Sequence, residues 1–532
     1  LRFMQDKKPV IYNTSRFRSD REAWGKNLMA CLSFATGEGE EVIVKTAISS
    51  VSTSGAKMNM QELDGLTFDS LKEKGEELWE KELQKYRITT DRKTKETFYT
   101  SAYHAALHPF VFQDVDGRFR GLDKNIEQAK GFTNYTTFSL WDTYRALHPW
   151  FNLVHQDINA DIANSMLAHF DKSVEKMLPI WSFYGNETWC MIGYHAVSVL
   201  ADMIVKGVKG FDYERAYEAM KTTALNEHYD CLPDYMRNGY VPFDKEAESV
   251  SKTLEYAYDD YCIAQAAKAL GKMDDYQQLM DLSKGWERIY NEETNLIHPK
   301  WENGKFIENF DPMQVWRGFQ EGNAYQYTFY VPHDAQTLIA KMGKEEFVQR
   351  LDSIFIISQD KIFSGGKTIN AFAGLQTYYN QGNQPCLHIS WLFNQAGRYD
   401  LTQKWVRAIL DEFYGTDGIH GYGYGQDEDQ GQLGAWYVIS SLGMFDVKGL
   451  ADVDPVFSLG STLFDKVTIR LNKDYYPGDT FVIEAHNNDK QHVYVKDYVW
   501  NGKELTSPEI RFKDVVSGGQ LSVEMSDQPV VK

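Results

Sequence analysis

Cysteine is scarce and unpatterned. Five residues, Cys31, Cys190, Cys231, Cys262 and Cys386, are spread over 532 positions with no CxxC pair. That excludes a disulfide framework and argues against a zinc or iron–sulfur site. Positive charge is also short: 56 Lys and Arg stand against 75 Asp and Glu, a net charge of −19. A nucleic-acid footprint needs clustered cations, so nucleic acid is excluded as a partner, and an anionic membrane surface is disfavoured. No apolar run approaches the roughly 18 residues of a membrane span. The opening LRFMQDKKPV lacks the basic–apolar–small order of a signal peptide.

Aromatic residues are abundant, at 14% of the chain. A large core accounts for that on its own. A carbohydrate site would use the same rings, because sugar C–H faces stack on them while carboxylates and amides take the hydroxyls.

The hydropathy pattern changes twice. Residues 1–57 read as β, with EEVIVKTAISSVST rich in Val, Ile and Thr before Ser/Gly turns. Residues 58–93 read as a charged helical connector. From 94 to 446 about a dozen amphipathic or buried helices follow one another with no fixed repeat, which excludes a solenoid and suits an (α/α)6 barrel of helical hairpins. From 447 to 532 short alternating strands such as KVTIRLN and TFVIEAHNN return, pointing to a C-terminal β-sandwich. The expected class is α+β multidomain, a helical barrel flanked by β-sandwich elements.

In a helical barrel, chemistry sits in the rim loops. FSLWDTYRALHP (138–149) puts Trp141 and Arg145 on one helical face with Asp142 beside them. A surface Asp142–Arg145 pair explains this as readily as a carboxylate holding sugar hydroxyls next to an indole. ETWCMIGYHAVSVL (187–200) sets Trp189 and His195 at the entry of an apolar helix; a lone histidine there is more often a hydrogen-bonded core residue. Glu248, Glu255, Asp259 and Asp260 lie in EAESVSKTLEYAYDD, mostly as structural carboxylates.

RGFQEGNAYQYTFYVPHD (317–334) surrounds Glu321 with aromatic residues. A carboxyl deprived of solvent keeps its proton near neutral pH, as a general acid must. NQGNQPCLHISW offers Asn383, Gln384 and His388, and amide oxygens beside carboxylates suit a hard cation such as Ca²⁺. In GYGYGQDEDQGQLGAWYV (421–438), Asp427 and Asp429 are two apart. An extended loop sends them to one side and Glu428 to the other. A helix starting just behind them favours ionised carboxylates, suited to a base that activates water. A protonated acid and an ionised base on separate loops are the division of labour of glycoside hydrolysis.

FSLWDTYRALHP, ESVSKTLEYAYDD, QEGNAYQYTFYVPHD, NQGNQP and DEDQGQLGAWYV, in this order, resemble the calcium-dependent exo-α-mannosidases of glycoside hydrolase family 92, as do FQDVDGRFRGLD and FDKVTIRL. The resemblance implies a β-sandwich joined to an (α/α)6 barrel, and hydrolysis of terminal α-mannosides with inversion. It implies Glu321 as general acid and Asp429 as base, with Asp427 helping to hold the water. Substrate binding would involve Asp142 on mannose hydroxyls, with Trp141, Arg145, Trp189, His195, Asn380 and Gln381. Ca²⁺ would be held by Asn383, Gln384 and Glu428, and the protein would be secreted, periplasmic or on the cell surface. VIVKTAISSVST resembles only the last strands of the family's N-terminal sandwich. Asn380-Gln381 stands where α-1,2-specific members carry His-Glu, which counts against that linkage. Two rivals are an inverting (α/α)6 enzyme acting on another α-glycoside, and a catalytically silent mannan-binding protein.

Overall fold

The computed structural model describes residues 2–9, 26–366, 372–416, 428–448 and 451–530. Two compact units are Leu1–Ile48 and Ser49–Lys532. The first contains a small antiparallel sheet in which Arg2–Gln5 pairs with Lys8–Pro9 and with Leu28–Cys31. The expected strand through VIVKTAISSVST does not form. Residues 40–52 carry no strand, and Ile43, Val44 and Ile48 are exposed. Among the described residues no ladder partner lies beside them, and β-branched residues make a strand only where a partner takes their N–H and C=O groups. Thr53–Asn59 is helical instead, capped by the Ser52 side chain accepting from the Gly55 N–H.

In the second unit the connector is a helix, Phe68–Leu83, started by a Thr67/Ser70 capping box. It does not end as a helix. β1 (Tyr86–Thr89) runs antiparallel to β2 (Lys466–Arg470), with Ile88 opposite Val467. The start of the helical region is thereby tied into the C-terminal sheet. That sheet continues through β3 (Thr480–His486) and β5 (Gly519–Ser526), which are parallel, to β4 (Tyr494–Trp500). A second, three-stranded sheet contains Met444–Phe445, Val456–Leu459 and Glu509–Arg511, so β structure begins slightly before the expected boundary at 447.

The helices between follow the sequence pattern closely. The ones used below are α1 (Arg92–Ala105), α2 (Leu147–Val154), α3 (Ala196–Val205), α4 (Ser249–Ala269), α5 (Ala335–Met342), α6 (Tyr399–Glu412) and α7 (Gln432–Ser441). Neighbouring pairs are α1 with α7, α7 with α2, α2 with α3, α3 with α4, and α6 with α7. Three of these helices have no solvent face: every residue of α4 from Ser249 to Ala267, and all of α2 and α7, is buried. A helix buried all round belongs to the interior, and α4 takes many polar residues there with it. None of the described helices is long and apolar enough to cross a membrane.

Candidate active site

Three segments far apart in sequence bring carboxylates together: the turn Leu140–Thr143 with Asp142, the loop 317–323 with Glu321, and the lead-in to α7 with Asp429. Asp142 is buried, which pushes its carboxyl well above the usual range; Asp429 and Glu321 push the same way, while Ser139 and Arg145 oppose. Asp142 and Arg145 are therefore not a surface pair. Asp142 Oδ2 has no hydrogen-bond partner among the described residues. A buried acceptor left unpaired costs about 1–3 kcal/mol, and such a cost is tolerated where a ligand supplies the missing donor.

The acid loop is held in a strained shape. Glu321 has φ 47°, in the left-handed region, which costs a non-glycine residue on the order of 1–3 kcal/mol and clusters at functional sites. Its neighbours bear that cost. The Gln320 N–H donates to Ser251 Oγ at 2.9 Å, and Gln320 O accepts from the Tyr327 hydroxyl at 2.5 Å. The Asn323 side chain accepts from the Tyr325 and Gln326 N–H groups and donates to Leu375 O and Thr377 O. At Gly322 a Cβ would lie 2.8 Å from the Tyr327 ring.

Asp429 and Gln430 are also left-handed, with φ 58° and 59°, ahead of Gly431 at 94°. Glycines 431 and 434 let α7 lie against α1, since a Cβ at Gly434 would meet Ser101 O at 2.5 Å. At the start of α7 the Glu428 side chain accepts from the Gly431 N–H and, at 3.3 Å, from the Gly434 N–H. Asp429 accepts from Gln384 Nε2 at 2.5 Å, while the adjacent Asn383 Nδ2 donates to Glu321 O at 2.6 Å. Two consecutive amides therefore bridge the Glu321 and Asp429 loops. Asp427 lies outside the described residues.

Among the described residues no group of three or more His, Cys, Asp or Glu could hold a metal ion. The donor chemistry for a hard cation is different in kind: Gln384 Oε1 is buried and has no partner among the described residues. An amide oxygen beside a carboxylate fits such a cation. Glu428 fits less well, because both its oxygens accept backbone N–H groups.

Several expected sugar contacts are placed behind this surface. Glu255, fully buried on α4, collects Trp141 Nε1 at 2.8 Å, Arg145 at 3.5 Å, His195 Nε2 at 3.1 Å and the Tyr330 hydroxyl. Arg145 stacks over Tyr144 and Tyr330 at 4.6 and 4.9 Å. Burial alone would raise Glu255, but His195 and Arg145 hold it below the usual carboxylate range. His195 also lies 2.8 Å from Asp259. Burial alone would lower its pKa, yet Asp259 and Glu255 push it up to about 9. Trp141, Arg145 and His195 thus each place a polar group on Glu255, behind the Asp142 turn. Asn380 and Gln381 are buried as well: the Gln381 amide bonds Tyr379 and Tyr414, and Asn380 Oδ1 accepts from Gly382. His388 Nε2 is 2.7 Å from Phe329 O, inside the core. Trp189 is the exception, 45% exposed.

Two contributors carry no mark in the sequence. Gln432 Oε1 accepts from the Ala146 and Leu147 N–H groups at 3.1 and 3.2 Å, joining α7 to the start of α2. Cys190 sits close enough to Asp142 and Glu321 that, after burial, they raise its thiol. A lone glutamine or cysteine gives no periodic signal that would reveal either role.

The profile of the glycosyl hydrolase family 92 catalytic domain matches residues 55–527. The chain is 57% identical to a family GH92 α-mannosidase of Bacteroides thetaiotaomicron, covering all of this chain and 69% of that one, with a TM-score of 0.92. The same enzyme in complex with mannoimidazole superposes equally well at 56% identity. A family GH92 inverting mannosidase of the same organism is 29% identical over 90% of this chain and 66% of its own, with a TM-score of 0.81. An uncharacterized secreted glycosidase of Arthroderma benhamiae is 24% identical over 81% of this chain, which spans about half (53%) of that curated relative's length. A match over nearly the whole second unit, together with three loop-borne carboxylates at one place, assigns the chain to glycosyl hydrolase family 92.

Proposed function

We propose that this chain carries the active site of an inverting, Ca²⁺-assisted exo-α-mannosidase. The observation that carries the reading is Asp142: a buried carboxylate with an unpartnered oxygen, in electrostatic reach of both Glu321 and Asp429. A neutral sugar hydroxyl is the donor that such an oxygen lacks. In this reading Glu321 protonates the departing glycosidic oxygen. Asp429, with Asp427, takes a proton from the attacking water on the opposite face of the ring. An inverting single displacement needs one proton donor and one acceptor, held apart by the width of sugar and water.

Similarity to the inverting mannosidase supports the stereochemistry, and similarity to the α-mannosidase supports the sugar. Asn383 and Gln384 would hold Ca²⁺ through their amide oxygens, with Asp429 alongside. The bound cation would supply charge to the hydroxyls of the terminal sugar. The packing of successive helices against one another, with α7 touching α1, α2 and α6, supports an (α/α)6 toroid with the site at one rim. The secreted fungal relative supports an exported glycosidase, and Asn380-Gln381 favours linkages other than α-1,2.

The test is a panel of linkage-defined α-mannobioses and α-glucobioses, with and without EDTA, and with the first anomer released read by NMR. The expected result is β-mannose first, loss of rate in EDTA and recovery on adding Ca²⁺. Release of α-mannose first, indifference to EDTA, or faster cleavage of glucobioses would overturn the corresponding part.

A further inference from the structure

A cleft of about 490 Å³ reaches the acid loop at Gln320, and none of Asp142, Glu321 and Asp429 is among its described lining residues. Its walls include Trp189, Met191, Tyr229, Asp230, Lys252 and Gln320. The volume lies within the roughly 300–1,000 Å³ typical of ligand pockets. Gln320 precedes Glu321, and its amide reaches Met191 Sδ at 3.5 Å. Cys190, between Trp189 and Met191, feels both Asp142 and Glu321. The cleft is therefore continuous with the loop of the proposed acid. Gln320 of the acid loop is among its described lining residues, whereas Asp429, Asn383 and Gln384 are not. In an inverting reaction the acid stands on the leaving-group side and the base on the water side, so a cleft bordered by the acid loop suits what departs.

The wall is built for a ring. Trp189 is held with φ 55° and its N–H on Glu187 Oε1 at 3.0 Å, and its indole lies 5.9 Å from the Tyr229 ring. Tyr229 is fixed in turn by its hydroxyl on Gly193 O at 2.9 Å. A half-exposed indole on a pinned backbone is a costly arrangement, and an aromatic face with polar neighbours suits a sugar. The charge of the cleft narrows the choice. Glu175, Asp230 and Glu248 line it, and Lys252 is already claimed by Asp230 at 2.6 Å and Glu246 at 2.8 Å. Among the described lining residues no other lysine or arginine is there to meet a phosphate.

Resting on the mannosidase reading above, we infer that this cleft is a leaving-group site for a neutral oligosaccharide, with Trp189 as its stacking platform and main determinant of preference for extended glycans.

The experiment compares 4-nitrophenyl α-mannoside with an α-mannobiose, -triose and -tetraose of the linkage the enzyme cleaves, in wild type, Trp189→Ala and Trp189→Phe. Wild-type kcat/KM should rise with length. In Trp189→Ala the loss on the tetraose should exceed the loss on the aryl mannoside by about tenfold, the effect of truncating an aromatic anchor, and Trp189→Phe should recover most of it. A phosphate on the leaving-group portion should cancel the gain from length. An equal loss on every substrate, or an unchanged ratio, would overturn the assignment of Trp189, and preference for the phosphorylated glycan would overturn the neutral class. A wild-type enzyme that cleaves no mannobiose would defeat the mannosidase reading itself, an outcome visible before any variant is made.

Discussion

Glu255 and Asp142 are both buried carboxylates of the same site, and they are used in opposite ways. Glu255 receives an indole N–H, a guanidinium, an imidazole and a phenol. Its charge is balanced by Arg145 and His195, and its pKa falls below the usual range despite burial. Asp142 keeps an oxygen with no partner among the described residues, and burial, followed by the nearby Asp429 and Glu321 carboxyls, raises its pKa. Satisfied buried networks rigidify, whereas unsatisfied groups are where a ligand gains most. The contrast separates a carboxylate whose partners are all within the protein from one that the proposed reading gives to the substrate, although both are acids among aromatic residues.

The contrast is sharpest in Asp142→Asn. If two charge-assisted hydrogen bonds to a sugar are weakened, each worth about 1.5–3 kcal/mol, kcat/KM on α-mannosides should fall roughly 10²–10⁴-fold. The folded state should not suffer, because the amide removes a buried charge facing Asp429 and Glu321. The sign follows from linkage: a carboxyl raised in the folded state destabilises above its folded pKa and is neutral below the unfolded value near 3.9. Asp142→Asn should therefore match or exceed the wild-type Tm at pH 7, with the difference vanishing as pH falls below about 4. A lowered Tm with normal turnover would reverse the roles.

Glu255→Ala should do the opposite. It leaves the buried Arg145 without its carboxylate and His195 with Asp259 alone, which costs about 3–5 kcal/mol, readable in chemical denaturation. An unchanged midpoint would show that Glu255 does not anchor the network. Smaller still is the contribution of His195. With its folded pKa near 9 against an ordinary value of about 6.5, its stabilisation is complete below pH ~6.5 and lost as pH rises through 9. A loss on the order of 2–3 kcal/mol across that window is expected, and His195→Gln should flatten it. A wild-type stability that stays level from pH 6.5 to 9 would place the proton elsewhere.

Much of the fold was legible because its elements are periodic. The helices from α1 to α7 and the strands β2 to β5 coincide with helical or alternating runs of the sequence, α4 and α7 being apolar or buried all round and not periodic. Periodicity failed where partners decide. VIVKTAISSVST has strand composition but no ladder among the described residues, and β1 lies in what reads as a helical connector because β2 recruits it. SLWDTYRALHPWFNLVH has the pattern of one helix, yet it breaks after Thr143 and resumes at Leu147, which sets the turn carrying Asp142 apart from α2.

The acids of the site were visible by type and spacing, but their partners were not. Parity along 427–429 could not reveal that Glu428 would cap α7, because that depends on where the Gly431 and Gly434 N–H groups come to lie. What the sequence determined alone was the inventory: helical and alternating runs, and carboxylates on Gly- and aromatic-rich loops. Only the tertiary structure decided which carboxylate is paired and which is left with an unpartnered oxygen, because pairing joins residues more than a hundred positions apart. Trp141 and Glu255 are one such pair, and no local pattern carries that distance.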